Sequence, residues 1–326
     1  MIKKTTFILT SIIIINYVYA QTYHTYYSKI DSAYYFYKLN NNTKSDSIFG
    51  TVFSKFEGFS ADYITACINI YKIDRNKSLK YLEKAVYYGE HKKNLLFHLK
   101  QANIVFTKKE IKKAYRLRNR NLRTSWPIRR MLIRDIIARR SNKHNKISKA
   151  DSINYNKIIY LIKSDTTMFN RLYHNDVTNQ SMEILLIHQK FSKIKNDWNL
   201  FYSLVEKGRL NRFFLGNIIE RESMWGGKSI KVDTINNQID YAQIRNHKFK
   251  NGFLYCSALG SINYFLKGKS VIIPINPNTK SYEYNRLRSY LFLPNYELFK
   301  TTYQSQYSFP NIEEFDTYLK KDDINY

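Results

Sequence analysis

Glycine and proline are scarce in this chain, with 10 Gly and 5 Pro among 326 residues. An all-β protein needs a turn every several residues, and so few turn formers cannot supply them. The same scarcity excludes collagen-like and Pro/Gly-rich low-complexity classes. Cysteine is scarcer still. Cys67 and Cys256 are the only two, too few for a disulfide framework, so packing must carry the stability. Both lie in apolar surroundings, either as small buried hydrophobes or as one bond tying the two halves together. Acids are few, with 26 Asp+Glu against 53 Lys+Arg for a net charge of +27. After the first twenty residues no window offers the roughly 18 apolar residues of a membrane-spanning helix. Apolar and aromatic surface is plentiful, at 44% hydrophobic and 16% aromatic residues. That excludes full disorder, because burying it offsets chain entropy. One large or two modest domains are expected.

Residues 1–20 read as a secretory signal. Lys3 and Lys4 give the positive start, Phe7 to Ile15 the apolar run, and Val18-Tyr19-Ala20 the cleavage site, leaving Gln21 as the new N-terminus. The run is too short to cross a bilayer core of roughly 30 Å. The mature chain is therefore expected to be exported, periplasmic or secreted, without a transmembrane helix.

The pattern that follows is helical, and the fold class expected is all-α. Ile30, Ala33, Tyr34 and Tyr37 recur at helical spacing until Asn40 to Asn42 break the run. Ile48, Val52, Phe53 and Phe56 form a second stripe, ended by Gly58. Small residues at Ala66, Ser78 and Ala85, with Leu82 between them, let two antiparallel helices approach closely around Asp74-Arg75-Asn76. This spacing resembles one tetratricopeptide repeat, with Ser78 where that family usually has Ala and Asn69 where it has an aromatic. The resemblance implies a short array of helical hairpins over residues 21–100, since one such repeat cannot bury its apolar face alone.

Residues 101–123 read as a basic connecting helix. Between Lys108 and Lys149 sixteen Lys or Arg face two acids, Glu110 and Asp135. Ser125-Trp126-Pro127 restarts the chain, Ser125 as N-cap and Pro127 in the first turn. Residues 124–306 are expected to form a second helical domain, with helices over Ile153–Ile162, Met182–Phe191, Trp198–Val205 and Phe213–Ile219, and a small β-hairpin around 253–274. Residues 307–326 read as a C-terminal tail whose end frays from Asp316.

The order of signals from Arg130 to Phe299 resembles a family of uncharacterised bacterial helical domains, over about residues 124–300. The matching positions run from Asp135 with Arg139, through Asp151 to Asn154 and His188 after Leu185-Leu186-Ile187, to Glu220-Arg221 before Gly226-Gly227. Pro274-Ile275, Arg286-Leu287-Arg288 and Leu293-Pro294 complete the order. The resemblance implies a compact helical domain and carries no known activity.

Devices of catalysis are sparse. Gly227-Lys228-Ser229 and Gly268-Lys269-Ser270 lack the first glycine of a phosphate-binding loop, and there is neither a G-x-S-x-G elbow nor an H-E-x-x-H helix. No metal and no cofactor are expected. Glu222 and Ser223 end an apolar stretch as a Glu-Ser pair, which resembles lytic transglycosylases, where one Glu protonates a glycosidic oxygen. Asp135 and His188 are the other candidates for catalysis. Because charges beside apolar stripes must pair, Asp135, Arg139, His188, Glu220, Arg221 and Arg288 are expected to form a polar network. Within it Asp135, His188, Arg221 and Arg288 should converge, fixing helix register or, in the sharper version, lining a pocket.

The charge points to polyanions, with Arg129, Arg130, Arg134 and Arg140 as the binding face. Three readings follow in order. The first is an interaction or scaffold protein whose partner is another envelope protein. The second is a hydrolase or lyase of envelope glycans using Glu222 or the Asp135/His188 group. The third is binding of acidic polymers or an anionic lipid surface by the basic helices 108–149.

Overall fold

A computed structural model describes residues 23–117, 126–164, 177–226 and 281–302, the short segments 228–233, 238–243, 264–266, 269–272 and 307–308, and the single residues 259 and 317. The signal segment with Ala20 and Gln21, the Ser125 cap, Cys256 and the end of the C-terminal tail lie outside these residues. No described helix is long and apolar enough to cross a membrane.

The chain is predominantly helical and divides into two compact units. The first takes in residues up to Gln189 together with Glu206–Leu210; the second comprises Lys190–Val205 and Asn211 onward. The boundary expected near residue 124 thus falls inside the first unit. The Trp-Pro restart and the change of charge mark where a helix begins, and neither requires that contacts cease there.

In the first unit, α1 (residues 23–38) buries Tyr26, Tyr27, Ile30 and Ala33. Asn40, in a left-handed conformation at φ 57°, turns the chain, and Asn41 caps α2 (Asn42–Phe53) by accepting from the Lys44 amide at 3.2 Å. Then come α3 (Ser60–Ile70) and α4 (Arg75–Tyr87), whose N-cap is Asp74; Arg75 and Asn76, read as turn residues, are already helical. Ala66, Ser78, Leu82 and Ala85 are all fully buried. The Ser78 hydroxyl donates to the Cys67 carbonyl at 2.8 Å, and its oxygen lies 3.2 Å from Cys67 Sγ. Cys67 is a free, buried thiol pushed up to about 11 by desolvation. Of the two readings left open for it, the small hydrophobe is the one realised.

The next helices are α5 (Lys92–Gln101) and α6 (Lys108–Arg116). The latter begins with a reciprocal cap between Thr107 and Glu110, and Arg75 from α4 grips Glu110 through two bonds of 2.7 and 2.8 Å. Of the basic connecting helix expected over 101–123, the described part is therefore a nine-residue helix packed against α4. The unit continues with α7 (Trp126–Arg140), α8 (His144–Lys163) and α9 (Val177–Ile187), where α7 packs on both α8 and α9.

In the second unit the single helix expected over Met182–Phe191 is broken. Lys190 is extended (ψ 138°), and Phe191 starts α10 (Phe191–Asn196). Next come α11 (Trp198–Glu206) and α12 (Arg212–Gly226), with Phe201 and Phe214 in contact in their core. Gly208, at φ 65°, sits just past the end of α11. Two small sheets follow. β1 (Lys228–Asp233) pairs antiparallel with β2 (Gln238–Gln243), a pairing absent from the expectation. β3 (Tyr264–Leu266) pairs antiparallel with β4 (Lys269–Ile272), which runs parallel to β5 (Tyr307–Ser308). Finally α13 (Ser281–Tyr290) and α14 (Tyr296–Thr302) bury Tyr284, Tyr296 and Phe299 together.

Candidate functional site

Between α2 and α4 the first unit holds a concavity of about 610 Å³. Its apolar lining is aromatic: Phe53 and Phe56 from the end of α2, Tyr63 from α3, and Tyr81 and Tyr88 from α4 and its cap. Phe53 and Tyr63 stack at 4.1 Å, and Tyr63 stacks on Tyr88 at 5.5 Å with rings parallel to 2°. Gly58 makes this possible, since a Cβ there would lie 2.6 Å from the Phe53 ring and 2.9 Å from Tyr63. Burial raises the hydroxyls of Tyr63, Tyr81 and Tyr88 above the ordinary phenol value, so all three stay protonated at neutral pH.

Around this floor stand Lys55, Lys77, Lys80 and Lys84, against one acid in the lining, Glu57. Lys77 is held by Asp46 at 2.6 Å, and Glu57 interacts with the Tyr88 hydroxyl. Lys55, Lys80 and Lys84 are exposed and have no acidic partner among the described residues. Lys84 lies 5.9 Å from the centres of both the Tyr87 and Tyr88 rings. The concavity thus offers flat apolar faces and an excess of hydrogen-bond donors. It is suited to a ligand that brings apolar groups and carboxylates together. Gly50 on α2 leaves its wall open: a Cβ there would meet nothing nearer than 4.0 Å, namely Lys77 Nζ and Tyr81 Oη.

The second cluster lies where α7, α8 and α9 meet. Asp135 is 2% exposed, and its carboxylate accepts from Arg139 Nε at 3.1 and 3.2 Å. Arg139 also reaches Asp151 on α8 at 2.8 Å. His188 Nδ1, just past α9, lies 3.0 Å from Asp135 Oδ2 and 3.1 Å from Arg139 Nε. That nitrogen cannot donate to the carboxylate while accepting from the guanidinium, so the proton on Nδ1 selects the partner. Desolvation pulls the His188 pKa below its ordinary value, against the opposing field of Asp135. Asp151 is shifted upward, again mainly by burial, with Arg139 pulling the other way. Three residues after Asp151 on α8, the Asn154 side chain donates to the Met131 carbonyl at 3.2 Å. Together these contacts fix the register of three helices.

Glu220 and Arg288, also expected in the network, lie in the second unit, where both hold the Leu259 backbone. Glu220 accepts from the Leu259 amide at 2.6 Å. Arg288 donates to the Leu259 carbonyl at 2.7 Å and to the Pro294 carbonyl at 2.5 Å, and lies over the Phe299 ring at 4.6 Å. Both side chains are fully buried, clamping one backbone residue from two sides. Arg221 and Glu222 pair with each other at 3.0 Å. Of the four residues expected to converge, Asp135 and His188 belong to one unit, and Arg221 and Arg288 to the other. Each finds its own counter-group locally. Among the described residues no three His, Cys, Asp or Glu side chains group as metal ligands would. The four arginines read as a polyanion face, Arg129, Arg130, Arg134 and Arg140, are all exposed on α7.

The aromatic concavity went unread in the sequence. The spacing groups Phe53 and Phe56 with Ile48 and Val52 in one stripe, whereas α2 buries Ser45, Phe49 and Val52, and Phe53 at its end and Phe56 just past it are half-buried. The available signal was the i, i+3, i+4, i+7 run of Lys77, Lys80, Tyr81 and Lys84 on one face of α4. No family model, no curated protein and no solved structure matches this chain.

Proposed function

We propose that this is an exported helical interaction protein that holds an acidic, apolar-bearing segment of another envelope protein in the concavity between α2 and α4. On this reading α1 with α2 and α3 with α4 stack as tetratricopeptide-like hairpins behind a signal peptide cut after Ala20, and β3 with β4 closes a small hairpin. The observation that carries the reading is the aromatic floor beside three lysines that have no acidic partner among the described residues. Exposed cations next to buried and half-buried rings gain from a carboxylate that arrives with apolar neighbours, because the rings exclude water from the contact.

The hydrolase reading draws less support. A glycosidic acid has to stand free of counter-charge, and Glu222 is paired with Arg221. Asp135 is bound to both Arg139 and His188, with no nucleophile placed against the imidazole by any described contact.

Fluorescence anisotropy with labelled peptides tests the proposal, comparing acidic with basic peptides that each carry two aromatic residues. The acidic peptide is expected to bind, and Lys80→Glu with Lys84→Glu to weaken it by roughly tenfold or more, since both attractive charges become repulsive. Equal binding of acidic and basic peptides, or indifference to the double substitution, contradicts it.

A further inference from the structure

The outward face of α7 is independent of the concavity. At 100° per residue, α7 turns Ile128, Met131, Asp135 and Ala138 inward, and all four are buried. The opposite arc carries Ile133 and Ile137 along its centre, 50% and 63% exposed. Arg129 and Arg140 flank them on one side, and Arg130 and Arg134 on the other, with Ile136, 40% exposed, at the edge. The helix's one acid, Asp135, is turned away and bound by Arg139 and His188. The exposed arc therefore holds four arginines and no carboxylate, and none of the four has an ion-pair partner among the described residues.

We infer that this face of α7 lies on an anionic lipid surface. A soluble polyanion would use the arginines and leave three isoleucines in water. A bilayer interface uses both, taking the central isoleucines among the acyl chains while the arginines reach phosphates on either side. The helix, about 22 Å long at the standard rise, lies along the surface. No described helix meets the requirement for crossing it.

Co-sedimentation of the full-length chain with phosphatidylcholine vesicles, with and without phosphatidylglycerol, tests the inference. Every comparison is made between variants of the same chain, so any contribution of residues 1–20 cancels. Binding is expected to rise with phosphatidylglycerol and to fall by about a hundredfold when Arg129, Arg130, Arg134 and Arg140 all become Gln. Ile133→Ser with Ile137→Ser is expected to weaken vesicle binding by about tenfold while leaving retention on heparin unchanged. The same change at two exposed residues of α5, Leu96→Ser with Phe97→Ser, should leave vesicle binding as it was. Ile137→Trp gives a readout that adds a signal instead of removing an interaction: its emission, relative to wild type, should shift to the blue with anionic vesicles. Vesicle binding that ignores the isoleucine pair, or tracks heparin retention in every variant, makes the face a polyanion site and overturns the inference. So do binding indifferent to phosphatidylglycerol and an unshifted indole emission from the Ile137→Trp chain.

Discussion

Two regions of the first unit set charges beside apolar surface, and they treat them oppositely. At the α7–α8–α9 junction Asp135, Arg139, Asp151 and His188 satisfy one another within 3.2 Å. In the concavity between α2 and α4, Lys55, Lys80 and Lys84 face rings and solvent with no counter-charge among the described residues. The difference separates architecture from address. A network that pairs a buried carboxylate turns its bonds inward, and its removal costs stability. An open row of donors over an aromatic floor adds little to stability and keeps its interactions available.

The largest effect expected from this contrast is at the junction. Arg139→Ala leaves the buried Asp135 without its guanidinium and should cost about 4 kcal/mol in urea denaturation, as removal of one partner of a buried pair does. Asp135→Asn with Arg139→Met removes both charges and should cost much less. Near-equal losses from the two variants would break the assignment of this cluster to architecture.

Glu90 sharpens the contrast from within the same unit, because it is buried without an ionic partner among the described residues. It is 1% exposed, and burial raises its carboxyl to about 7, against smaller opposing pulls from His91, Ser60 and Asn94. The folded state then binds the proton more tightly than the unfolded chain. Stability should fall as pH rises from about 4.5 through about 7, by on the order of 3 kcal/mol, and stay low above that. Glu90→Gln should abolish the slope and raise the melting temperature at pH ~8. A slope that persists in the variant would assign the titration elsewhere.

Smaller again is the effect of the lysines on folding. Lys80→Glu with Lys84→Glu should change unfolding free energy by no more than about 0.5 kcal/mol, as for surface positions generally, while removing acidic-peptide binding. A large loss of stability would move these residues from the open class to the closed one.

How much of this was legible follows from the range of each signal. The α3/α4 seam could be read because small residues at Ala66, Ser78 and Ala85 repeat within a single hairpin. The junction was half legible: Asp135, Arg139 and His188 interrupt apolar runs, and an interrupted run demands a partner. Which partner was not legible. Arg221 and Arg288 are as polar and as enclosed in sequence as Arg139, and the Leu259 backbone that Glu220 and Arg288 clamp leaves no mark in the residue pattern. The concavity escaped for a different reason. With 29 Tyr and 20 Phe in the chain, an aromatic at helical spacing looks like core wherever it stands. Only the approach of three helices distinguishes Phe53 and Tyr81 from Phe49. The break between α9 and α10 was hidden as well, since Lys190 leaves the helix without a Gly or Pro to announce it.

Gly50 allows the central claim to be tested with a single substitution. It sits within α2, where glycine is less favourable than a long unbranched side chain by about 1 kcal/mol, and its wall of the concavity is open to 4.0 Å. Gly50→Met should fill the space between Lys77 and Tyr81. Measured on one preparation, the melting temperature should hold or rise while affinity for the acidic aromatic peptide falls at least about tenfold, the two moving in opposite directions. Undiminished affinity in a stably folded Gly50→Met protein would contradict the account.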